Sequence, residues 1–117
     1  MSVAAPDLAT EFITEQKKIT AEVRELDLLV ESTLTEVSRL KAREDQTKAK
    51  VEEARTNPAN FQREQIFTVT DEYSTALSRR MTMEAQLAGL QAKRKLLERA
   101  RALVTAAQDH VQRVALE

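Results

Sequence analysis

Residues that break regular structure are nearly missing from this chain. Its 117 residues include one Gly and two Pro, against about 7% Gly and 5% Pro in an average soluble chain. The turns that a sandwich, a barrel or repeated βαβ units need cannot be supplied, so few and long elements are expected. The one strong interruption is Thr56-Asn57-Pro58-Ala59-Asn60, close to the midpoint. Pro58 lacks a backbone donor and drives Asn57 out of the α region, and Asn suits a cap or a turn. The expected layout is one domain over residues 1–117, with a helix over about 7–56, a turn over about 57–60 and a helix over about 61–115. Asp7, after Pro6, is the expected N-cap of the first helix. Each helix would extend roughly 75 Å at 1.5 Å per residue.

Both halves carry a coiled-coil pattern. In the first, Val23, Val30, Val37 and Val51 alternate at 3-4 spacing with Phe12, Ile19, Leu26, Leu40 and Ala54, and Thr33, Glu44 and Thr47 interrupt the series. In the second, Val69, Tyr73, Ala76, Met83, Leu87, Leu90, Leu97, Ala100, Val104, Ala107, Val111 and Val114 keep similar spacing, with a stutter expected near Leu97 and with Arg80 and Arg94 in core-like slots. Two long amphipathic helices joined by a few residues bury their stripes by folding back. The expected fold is all-α, an antiparallel two-helix coiled-coil hairpin. Ile66-Phe67-Thr68-Val69-Thr70 has strand-like composition, but no second such run could pair with it, and helix is expected there.

The apolar stripe is too wide in one region for a two-stranded seam. Leu26, Leu28, Leu29, Val30 and Leu34 in the first helix, and Leu87, Leu90, Leu96, Leu97, Leu103 and Val104 in the second, cover more of the circumference than one partner helix can hide. These residues are the candidates for self-association, giving a homodimer built as a four-helix bundle. Lys41–Lys50, almost wholly polar, is expected to be a solvated and weakly packed arm.

Little in the sequence points to catalysis. The absence of Cys excludes disulfides, zinc fingers and thiol chemistry. A lone His110 cannot form a two-His metal site and reads as a solvated helical residue. Gly89, inside a helical pattern, reads as a point of close helix approach rather than part of a phosphate loop. Adjacent acids such as Glu52-Glu53 and Asp71-Glu72 diverge by about 100° on a helix, the wrong geometry for acid–base cooperation. No catalytic, metal or cofactor residues are expected, and the chain is read as not an enzyme. The 18 basic residues nearly balance the 19 acidic ones, which disfavours nucleic acid as a partner. The basic cluster Lys93-Arg94-Lys95, Arg99 and Arg101 is expected instead to pair with Glu22, Glu25 and Asp27 on the first helix. No leader is read in Met1–Asp7 and no apolar run reaches the roughly 18 residues of a membrane span; a cytoplasmic location follows as the expectation.

From Asn60 onward the chain resembles the N-terminal coiled-coil sensor region of DegS-type cytoplasmic sensor histidine kinases. The resemblance rests on Asn60-Phe61-x-Arg63, then Val69, Tyr73 with Ala76 three residues later, Met81 and Met83, and a Leu- and Arg-rich continuation past Leu90. It implies a dimerising signal-input module of a two-component system, with a kinase core or a response regulator as partner and with Asn60, Phe61, Arg63 and Tyr73 as partner-binding candidates. His110 is followed by Val111-Gln112, whereas the family's phosphoacceptor is followed by Asp-Gly, so no phosphoacceptor role is transferred. The competing reading is an adaptor, assembly chaperone or structural spacer that docks an assembly client through its helical faces or its turn end.

Overall fold

A computed structural model of the chain describes residues 8–116. The N-cap expected at Asp7 lies outside the described residues. Helix α1 spans Leu8–Thr56, a single 3₁₀ turn spans Pro58–Asn60, and helix α2 spans Arg63–Leu116. There is no strand among the described residues. The molecule is an all-α helical hairpin.

The reversal needs no glycine, because no described residue has positive φ. The amide of Asn57 still donates to the Glu53 carbonyl at 2.9 Å, the last α-type bond of the first helix. Pro58 then opens the 3₁₀ turn, where its fixed φ fits and its missing N–H costs nothing. The amides of Asn60 and Phe61 close that turn onto Asn57 and Pro58. Phe61 is extended, at φ −127 and ψ 135, so α2 begins at Arg63 and not at the expected 61. Gln62 caps it: its amide donates to Gln65 Oε1 at 2.8 Å, and its carbonyl accepts the first helical bond from Ile66 at 3.1 Å. A side chain three residues on that reaches back to the cap amide is one half of a capping box.

The strand-like run 66–70 is helical. Thr68 and Thr70 donate their hydroxyls to the carbonyls of Glu64 and Ile66, four residues back, which is how β-branched threonine is accommodated in a helix.

The described residues form two compact units, one comprising the chain up to Leu29 with the chain from Leu90 onward, the other Val30–Gly89. Within the first, Gln16 Nε2 donates to Thr105 Oγ1 at 2.6 Å and Arg94 Nε to Asp27 Oδ1 at 2.5 Å. Eleven residues forward along α1 thus match eleven backward along α2, which makes the packing antiparallel. Ile19, Val23 and Leu26 are buried here, with Leu90, Leu97, Arg101, Val104, Gln108 and Val111 half-buried. In the second unit Leu40, Thr47, Ala54 and Ala76 are buried, with Thr33 at the margin. Glu36 and Leu40 share a groove with Met83, while Lys50 and Glu53 share one with Thr68 and Val69. These segments are antiparallel too.

Three expectations are corrected. The stutter near Leu97 is absent: the inward positions run 94, 97, 101, 104, 108, 111, an unbroken 3-4 alternation, while Ala107 and Val114 are exposed. Arg101 and Gln108 take slots that hydropathy alone would give to smaller apolar neighbours, because the helical period sets the seam. Lys41–Lys50 is solvated as expected except at Glu44, half-buried, and Thr47, buried, which pack into the seam. Thr47 is the most deeply buried residue described, at 0% exposure; its hydroxyl is satisfied by the carbonyls of Arg43 and Glu44 at 2.9 and 3.0 Å. Finally, a Cβ on Gly89 would meet nothing within 4 Å, so Gly89 is not a point of close helix approach.

Candidate interaction site

The hairpin has inner slots, the flanks beside them and an outer face, and the candidate residues divide among all three. Leu26 is buried, 5% exposed, and is used up within the hairpin. Val30, Leu87, Leu90, Leu97 and Val104 are half-buried at inner slots of their own units. Leu28, Leu29, Leu34, Leu96 and Leu103 are between 46% and 72% exposed. Of these five, all but Leu34 belong to the unit that contains both ends of the chain. Sequence periodicity gathers the eleven residues as one wide stripe. The structure separates the six that pack inward from the five that leave apolar surface in water.

The heptad phase places the exposed leucines. In α1 the inner slots of this unit include Ile19, Val23 and Leu26; in α2 they include Arg94, Leu97, Arg101 and Val104. Asp27 and Thr105, which make the cross-helix bonds, each directly follow an inner residue and so mark one flank of the seam. Glu22 on α1 and Lys93 and Ala100 on α2 each lie one residue before one inner position and four before the next, and mark the opposite flank. Leu29 shares their helical phase, and Glu25, Leu96 and Leu103 stand immediately behind this second flank.

The charges sort in the same way. The expectation that α1 acids pair with the basic cluster of α2 holds for one pair: Arg94 bonds Asp27, with Glu98 at 3.8 Å on its own helix. Among the described residues Lys93, Lys95, Arg99 and Arg101 make no ion pair within 4.0 Å, nor do Glu22 and Glu25. The hydrogen bond to Asp27 raises the Arg94 guanidinium pKa above its ordinary value.

The other unit holds a tighter polar element. Arg80, in an inner slot, bonds both carboxylate oxygens of Glu44 across the hairpin and Glu84 Oε2 at 2.9 Å along its own helix. The Arg80 and Glu44 side chains are only 21% and 13% exposed. The bonds to Glu44, then Glu84, raise the Arg80 pKa. All three guanidinium nitrogens and both Glu44 oxygens are engaged, which favours holding charge in a half-buried seam.

At the turn, Asn60 and Arg63 are exposed and Phe61 half-buried, with the Arg63 guanidinium 5.7 Å from the centre of the exposed Phe67 ring. Tyr73 is set apart from them, half-buried at an inner slot. The four candidates from the resemblance therefore do not form one surface. Phe61 instead joins Lys50, Glu53, Gln62, Gln65 and Val69 around an open groove of about 630 Å³. Sequence reading named Phe61 and the turn end as docking candidates but not Lys50, Glu53, Gln62, Gln65 or Val69, which line the groove with Phe61. His110 is exposed on α2. Among the described residues no group of three or more His, Cys, Asp or Glu could hold a metal, and no helix is long and apolar enough to cross a membrane.

No family model, curated protein or solved structure matches the chain.

Proposed function

We propose that this chain is a non-catalytic helical interaction module that self-associates and serves as the signal-input region for a cytoplasmic partner of the sensor-kinase type. The observation that carries the reading is the exposure of Leu28, Leu29, Leu96 and Leu103, 52% to 72%, within one compact unit. A hairpin that already buries Ile19, Val23 and Leu26 has no further use for them, and clustered exposed leucines mark an interaction surface. The Glu44–Arg80–Glu84 network supports a relay: a half-buried polar contact fixes one helix register, and an input that breaks it would favour another. The test is a fusion of the chain to a sensor-kinase core stripped of its own input region. Autophosphorylation should depend on the chain and should be lost on Leu29→Ser with Leu103→Ser. A fusion indifferent to those substitutions contradicts the proposal.

The groove beside Phe61, with Phe67 63% exposed nearby, favours a second reading, an adaptor that docks an assembly client at its turn end. Phe61→Ser with Phe67→Ser would then abolish client capture and leave self-association intact.

A further inference from the structure

Resting on that reading of self-association, we propose that the partner on the Leu29 flank is a second copy of this chain, seated so that the acidic α1 strip of one copy lies over the basic α2 strip of the other. Three observations within the unit that contains both chain ends carry this. Leu29, Leu96 and Leu103 lie on or immediately behind the same flank and are 52%, 63% and 72% exposed. Over residues 22–29 and 93–99 the charges beside them differ in sign by helix: Glu22 and Glu25 accompany α1, Lys93 and Arg99 accompany α2, while Lys18, one heptad before Glu25, is the basic residue of the α1 strip beyond this stretch. None of Glu22, Glu25, Lys93 and Arg99 is spent inside the hairpin, where the nearby ion pairs are Arg94 with Asp27 and Glu98.

The symmetry follows from the charge. Two copies can meet through one flank about a two-fold axis in two ways. An axis across the helices stacks α1 on α1 and α2 on α2, which sets Glu22 and Glu25 against their own copies and Lys93 and Arg99 against theirs. An axis along the helices stacks α1 on α2 at both sites and brings opposite signs together. Height agrees as well. The bonds Gln16–Thr105 and Asp27–Arg94 place Glu22 level with Arg99 of its own hairpin, and an axis along the helices preserves height. Glu22 is therefore level with Arg99 of the second copy, which borders Leu96 and Leu103 at the outer edge of that strip, while Leu29 and Glu25 fall beside Lys93 and Leu96. Like-charge juxtaposition is strongly unfavourable at an interface and opposite charges fix orientation, so the second arrangement is the one that the leucines can drive.

The test uses two full-length variants, Glu22→Lys with Glu25→Lys, and Lys93→Glu with Arg99→Glu, with helicity checked by circular dichroism. Each variant alone should lose dimer affinity by about 100-fold or more, since all its facing charges become alike. An equimolar mixture of the two, and a chain that carries all four reversals, should recover dimers at unaltered strength. Association of the unaltered chain should weaken as salt rises. If the single-side variants dimerise as the unaltered chain does, the α1-on-α2 arrangement is wrong and self-association stands. If the unaltered chain is monomeric at every concentration, the underlying reading falls first.

Discussion

Thr47 shows how a polar residue can be a core residue. It is fully buried, yet both acceptors of its hydroxyl are carbonyls of its own helix, so no orphaned group results. Thr47→Val removes a satisfied hydroxyl and keeps the shape. Its effect in urea unfolding should stay within about 1 kcal/mol and fall on the stabilising side. Leu26→Ala and Leu40→Ala should each cost about 2–3 kcal/mol in the same assay, at fixed protein concentration, because nothing nearby refills the space. Glu44→Leu alone should destabilise by stranding Arg80 in its slot, and Arg80→Leu added to it should recover stability while loosening the register. Two bonds from Arg39, at 3.0 and 2.5 Å, hold the Glu36 carboxyl below its ordinary pKa. That contribution is present above the ordinary carboxylate range and is lost as pH falls through the depressed value. Glu36→Gln should therefore flatten the acid limb of the stability profile slightly, the pair being exposed.

At the scale of the helices, much was legible and for a plain reason. Ile19, Leu26, Leu40 and Ala54 repeat at multiples of seven and are all buried, because a two-helix seam admits the residues that share one phase. The same phase passes through Thr33 and Thr47, which hydropathy marks as interruptions though their hydroxyls are short enough to be satisfied locally. On α2 the corresponding phase runs from Arg94 through Arg101 and Gln108, whose stems can lie along the seam with polar ends free. Ala107 and Val114 misled because they are apolar and near the stripe, yet one position off in phase. The exposed leucines were legible as an excess of width. Which of them pack inward was not, since composition cannot separate an inner slot from its flank. Two substitutions test the helices directly. Gly89→Ala should raise the unfolding free energy by about 1 kcal/mol, given the open space around its Cα. Ala76→Leu, at the one buried residue of α2, should cost about 1–3 kcal/mol by overpacking.

For the whole molecule the argument concerns what a hairpin leaves over. Leu28, Leu29, Leu96 and Leu103 are apolar and exposed, and the last three are bordered by Glu22, Glu25, Lys93 and Arg99, charges that the ion pairs of their own hairpin do not use. A second copy supplies both the apolar cover and the opposite charge. The most direct measurement is sedimentation equilibrium of the unaltered chain across a range of concentrations. The account predicts a species of twice 13.2 kDa that reverts to a helical monomer when those four leucines are replaced by Ser; a monomer at all concentrations, or a dimer that survives the replacement, would contradict it.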